Sequence, residues 1–100
     1  MSVFHIVLIK WKPETSEEQI ADQMAGMNAL SGKIPGVERL HTGVNFSNRA
    51  KGYTHALVAQ LADRAALEGY GPHPAHQALI PPFLAIAEDI LAFDFEPGGD

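Results

Sequence analysis

Residues 3–11, Val-Phe-His-Ile-Val-Leu-Ile-Lys-Trp, are rich in β-branched and aromatic side chains and are stopped by Lys12-Pro13, the pattern of a strand. Successive strand residues point to opposite faces, and this strand is apolar on both. Val3, Val7, Ile9 and Trp11 lie on one parity, and Phe4, Ile6 and Leu8 on the other. Residues 90–96 repeat the feature, with Ile90 and Ala92 on one parity and Leu91, Phe93 and Phe95 on the other. A strand buried on both sides needs a layer above and a layer below. A chain of 100 residues has material for one helix layer, so the second face calls for a partner. The expectation is a homodimer through the sheet face carrying Phe4, Ile6, Leu8, Leu91, Phe93 and Phe95.

The remaining elements follow from caps, spacing and breakers. Ser16-Glu17-Glu18-Gln19 is a capping box, and Ile20, Met24, Met27, Leu30 and Ile34 continue at helical spacing until Gly32, Pro35 and Gly36 end the helix. Residues 37–45 read as a second strand, 45–52 as a polar turn, and 53–61 as a third strand. Asp63 caps a short helix through Tyr70 that is anchored by Leu67 and broken by Gly71-Pro72. Pro74 suits the first turn of a further helix, which Pro81-Pro82 must kink or interrupt. The order βαββαβ predicts an α+β, ferredoxin-like four-stranded antiparallel sheet of order 4-1-3-2 with the helices on one face. Residues 1–96 form one domain and 97–100 a frayed tail.

Composition removes several function classes. The formal net charge is −5, and the seven basic residues are scattered, so neither nucleic acid nor an anionic membrane surface is an expected partner. The absence of cysteine excludes disulfides and thiolate metal sites. No apolar run reaches the roughly 18 residues that span a bilayer. The N-terminus lacks a signal-peptide pattern, so the expected location is cytoplasmic.

Five histidines are a high count for this length. His5 and His55 sit among apolar neighbours on the two central strands, either as a polar spot in a greasy cavity or as a satisfied core pair. In Tyr70-Gly71-Pro72-His73-Pro74-Ala75-His76, His73 reads as a helix cap. His76 falls in a first helical turn, whose positive end favours the neutral ring. Tyr70, just before the break, can reach the same cavity, and a neutral His beside a Tyr hydroxyl can act as general base and oxyanion donor. Val7, Ile9, Met24, Met27, Leu57, Leu79, Ile90 and Ala92 are the expected pocket walls, with His5 and His55 on the same parity. His73 and His76 have ligand spacing, and His5 or His55 could supply a third ligand, but the pattern is unspecific and no metal is expected. No phosphate loop, dinucleotide fingerprint or nucleophile elbow occurs, so no cofactor is expected either.

His5 to Lys12, the Lys33-Ile34-Pro35-Gly36-Val37 turn, Gly52-Tyr53-Thr54-His55 and His73-Pro74-Ala75-His76, in this order, resemble the stress-responsive dimeric α/β-barrel (Dabb) family. The resemblance runs from about His5 to Phe95. It implies two sheets packed face to face, with a cavity inside each protomer. One plant member of that family is a polyketide cyclase, whose catalytic His and Tyr match His76 and Tyr70 and whose other cavity histidines match His5 and His55. Its bulky pocket positions fall here on smaller or flexible residues such as Met24, Met27 and Ala87. Plant members also hold a cation on backbone carbonyls matching Ser31, Ile34 and Val37. The leading expectation is therefore a pocket for an apolar, carbonyl-containing small molecule, run by acid–base chemistry of the cyclase or isomerase type. Two alternatives stand beside it: a non-catalytic stress-responsive ligand-binding or stabilising protein, and a cofactor-free enzyme similar to the antibiotic-biosynthesis monooxygenases.

Overall fold

A computed structural model describes residues 2–98. The elements are β1 (Val3–Trp11), α1 (Glu17–Asn28), β2 (Val37–Val44), β3 (His55–Leu61), α2 (Arg64–Tyr70), α3 (Pro74–Gln77), α4 (Ile80–Ile86) and β4 (Ala87–Phe95). The sheet order is β2-β3-β1-β4 with every neighbouring pair antiparallel, as expected for the ferredoxin-like arrangement. Gly99 and Asp100, the end of the expected tail, lie outside the described residues.

The caps act as the sequence predicts. The Ser16 hydroxyl accepts from the Gln19 amide at 3.1 Å, and the Gln19 side-chain oxygen accepts from the Ser16 amide at 2.9 Å. The Asp63 carboxylate accepts from the Ala66 amide at 2.8 Å. Replacing Ser16 by Ala leaves α1 with amides that only water can satisfy. The expected loss is about 1 kcal/mol of folding stability, read as a lower urea midpoint with an unchanged slope.

Several boundaries differ from expectation; β3, for one, begins at His55 and not at residue 53. The first helix stops at Asn28, six residues short of Ile34. Beyond it, the amides of Leu30, Ser31, Lys33 and Val37 each bond to the carbonyl three residues earlier. These tight turns prolong the helical spacing, so Leu30 and Ile34 still reach the core at 2% and 4% exposure. Gly36 closes the run with φ 88°, and a Cβ there would stand 2.5 Å from that of Ala66, so position 36 excludes any other residue on two counts. The helix from Pro74 is interrupted, as expected, but ahead of the prolines: α3 ends at Gln77, and Pro81 and Pro82 occupy the first turn of α4, where their missing N–H groups cost no bond. Strand β4 begins at Ala87, three residues before Ile90, because Ala87 pairs with Trp11 across a shift in register.

Register decides which side chains meet the helices. Val3, His5, Val7 and Ile9 stand opposite Leu61, Ala59, Leu57 and His55. On this face Ile9, Leu57, Ala59, Leu61 and Leu40 pack with Met27, Leu30, Ile34, Tyr70 and Phe83 as one buried core. The other face carries Phe4, Ile6 and Leu8 opposite Phe95, Phe93 and Leu91. There Phe93 is 58% exposed, and the Phe4 and Phe95 rings stack at 5.5 Å, forming an apolar surface on the side away from the helices.

Candidate functional site

Tyr70 ends α2, and Gly71 caps it. The chain then turns tightly, the His73 amide bonding to the Tyr70 carbonyl at 3.3 Å and the His73 ring accepting from the Ala75 amide at 3.1 Å as the cap of α3. The turn brings His76 back over Tyr70, with ring centroids 4.7 Å apart. From the sheet, the His5 ring approaches the same phenol, with centroids 5.4 Å apart. These three rings, with Val7, Met27, Leu30, Leu57, Leu79, Ile80 and Phe83, enclose a cavity of about 40 Å³. That volume takes a water or two, or the reacting end of a small molecule.

Hydrogen bonds set the proton on each ring. His76 Nδ1 lies 2.9 Å from the Gly71 carbonyl, which can only accept, so Nδ1 carries the hydrogen and Nε2 keeps its lone pair. The helix-end argument for a neutral His76 does not hold, because α3 has four residues and His76 stands in its last turn. What the Gly71 carbonyl fixes is the tautomer: when the ring is neutral, its hydrogen sits on Nδ1. His5 Nδ1 bonds to the Asp94 carboxylate, which likewise places a hydrogen on Nδ1. Burial pushes the Tyr70 phenol up to about 12, so it is a neutral O–H donor throughout the physiological range.

Asp94 is the residue that sequence reasoning missed. It stands directly across the β1–β4 ladder from His5. The apolar pairs on the opposite face, Phe4 with Phe95 and Ile6 with Phe93, would have located it once used to set the register.

The structure does not bring His55 to this cavity. His55 pairs with Ile9, four residues along β3 from Ala59, which faces His5. At strand rise this is about 13 Å away. Its Nδ1 accepts from the Trp11 indole N–H at 2.9 Å, and its ring closes a wider cleft beside α1. Met24 faces that cleft too, because it lies almost one turn from Met27 on α1. Of the other expected walls, Ile9 is fully buried in the core, Ile90 packs beside it, and Ala92 is exposed on the edge strand. Among the described residues no three histidine, aspartate or glutamate side chains gather as metal ligands.

Two titrations have opposite stability signatures. Burial lowers the His55 pKa below 6.5, so the stability tied to its neutral form is complete above pH 6.5 and is lost as the pH falls through the depressed value. The raised Tyr70 pKa acts at the other end: its contribution is complete below pH 10 and is lost as the pH rises towards 12. Urea midpoints measured across the acid range should therefore drop below neutrality, and a His55→Gln variant should lose part of that slope.

The family model of the stress responsive A/B barrel domain matches residues 3–97. The stress-response A/B barrel domain-containing protein HS1 of Arabidopsis thaliana is 30% identical over 97 residues, covering 95% of this chain and 89% of its own. Olivetolic acid cyclase of Cannabis sativa is 28% identical over 99 residues, covering 97% and 98%. A crystal structure from Thermobifida fusca, described as a dimeric ferredoxin-like protein of unknown function, superposes with a TM-score of 0.84 at 25% identity, covering 95% of this chain and 90% of the other.

Proposed function

The chain belongs to the stress-responsive A/B barrel family, and from that premise we propose a homodimer in which each protomer carries an acid–base site for a small apolar carbonyl compound. The observation that carries this reading is the convergence of His5, Tyr70 and His76 on one apolar cavity, with Nδ1 of His76 turned to the Gly71 carbonyl and the Tyr70 hydroxyl neutral. A carbonyl oxygen that accepts from Tyr70 presents its α-carbon to His76. The α C–H bond breaks, the proton moves to His76 Nε2, and the electron pair passes to the oxygen as an enolate that the Tyr70 O–H stabilises. Reprotonation at carbon gives an isomerase; attack of the enolate on a second carbonyl of the same molecule gives a cyclase. His5, oriented by Asp94, offers a second nitrogen for returning the proton. Olivetolic acid cyclase, by its name, closes a ring, which agrees with the second outcome.

A ligand larger than the cavity must displace its walls, and Met27, with its flexible thioether chain, yields at least cost. The same small volume favours a second reading, a dimer with no chemistry. Deuterium uptake separates them: butanone incubated with the protein in heavy water should gain deuterium beside its carbonyl faster than in buffer. Uptake at the buffer rate would leave the non-catalytic reading.

The second copy is the partner that best covers the open sheet face. The Thermobifida fusca structure of the same fold is described as dimeric, which supports it.

A further inference from the structure

His55 opens on a cleft of about 640 Å³ between α1 and the end of the β2–β3 hairpin, walled by Trp11, Ile20, Ala21, Met24 and Val44. No lining residue is shared with the His5–Tyr70–His76 cavity. Trp11 on the cleft side meets Phe83 on the cavity side edge-on, with ring centroids 6.0 Å apart, and Met24 and Met27 divide in the same way. The volume falls within the range of small-molecule sites, unlike that of the closed cavity.

The polar groups of the cleft are arranged for one kind of contact. The Trp11 indole can only donate, so His55 Nδ1 must accept from it, and the Thr54 hydroxyl stands 2.8 Å from the same nitrogen. A proton on Nδ1 would turn the indole away, whereas the Thr54 hydroxyl could serve either tautomer, so the indole places the hydrogen of the neutral ring on Nε2. Held in this tautomer, His55 is a fixed N–H donor and not a base. Glu17 stands on the rim, and no lysine or arginine lines the cleft, so an anion would meet repulsion with no counter-charge.

We propose that this cleft is a second small-molecule site, which takes a neutral, largely apolar carbonyl compound whose oxygen accepts from His55 Nε2–H and whose ring or chain lies against Trp11 and Met24. The assignment is independent of the acid–base reading, because His5, Tyr70 and His76 take no part in it.

Trp11 is the only tryptophan of the chain, so its emission detects a bound dye and its indole N–H resonance reports on the cleft wall itself. The probe is prodan, a neutral naphthyl ketone whose emission moves to the blue in apolar surroundings. Prodan titrated into the wild-type dimer should quench Trp11 emission by energy transfer, in a saturable way, and shift the indole N–H resonance. Ala21→Phe fills the cleft from an exposed helix position. It should weaken binding by at least about tenfold, or 1.4 kcal/mol. His55→Phe keeps the ring but removes the donor, and the emission of bound prodan should move further to the blue. Absence of saturable quenching, an unmoved indole resonance, or equal binding to folded Ala21→Phe would each overturn the proposal. Unchanged emission in His55→Phe would overturn the donor role. Failure of these results would leave the butanone exchange untouched, so the two sites are judged separately.

Discussion

Replacing Phe93 by Glu is expected to leave a protein that scatters light as a monomer at concentrations where the wild type is a dimer. The Phe93 side chain is more than half exposed in the protomer, so the substitution removes nothing from the core beneath the helices. In the dimer it stands beside Phe95, opposite Ile6, on the face proposed to meet the second sheet. An unpaired carboxylate buried there costs about 3–5 kcal/mol. Two-fold symmetry applies that cost twice, so association weakens by several orders of magnitude. Leu84→Glu makes a useful comparison: Leu84 is 57% exposed but belongs to α4, on the helix layer, and its variant should remain dimeric. A dimeric Phe93→Glu variant would place the interface elsewhere.

The second large effect concerns the acid–base pair. His76→Ala should lower enzyme-dependent deuterium exchange by about 10²–10⁴-fold, the usual contribution of a positioned general base. Tyr70→Phe keeps the buried ring and removes only the hydroxyl that would hold the enolate oxygen; a loss of roughly 10²–10³-fold is expected. Both variants should keep the size of the wild-type dimer. Asp94→Asn is expected to act through His5, because an amide can offer either an acceptor or a donor to Nδ1 and no longer fixes the tautomer. Its signature should be a changed pH profile of exchange, a readout that simple destabilisation would not give. His55→Phe should leave the exchange rate at the wild-type value, since His55 lies outside the cavity.

Much of this architecture was legible in the residues. Ser16 and Asp63 mark helix starts through side-chain oxygens that need no tertiary context. The two-sided apolarity of Val3–Trp11 identifies a central strand, and β1 lies between β3 and β4. Strand parity also assigns His5 and His55 to the helix side, and the register agrees. Parity has a period of two residues, however, and says nothing about position along the strand. That is why His5 and His55 were expected in one cavity although about 13 Å of strand divides them. The partners of the two rings, Asp94 for one and Trp11 for the other, depend on which residues face each other across the ladders. The overlong first helix has a different cause: consecutive three-residue turns repeat the burial spacing of a helix, so Leu30 and Ile34 look helical without being so. The prolines at 81 and 82 mark a break without telling whether a helix ends or begins there.

The nitrogen resonances of the histidine rings, recorded at about pH 8 before and after addition of butanone, test the acid–base site most directly. The expected spectrum has His76 protonated on Nδ1 with a free Nε2, and His55 protonated on Nε2. Butanone held by Tyr70 should move the Nε2 signals of His76 and His5 in a saturable way. Nε2-protonated His76, or a response confined to His55, would contradict the placement of the chemistry between His5, Tyr70 and His76.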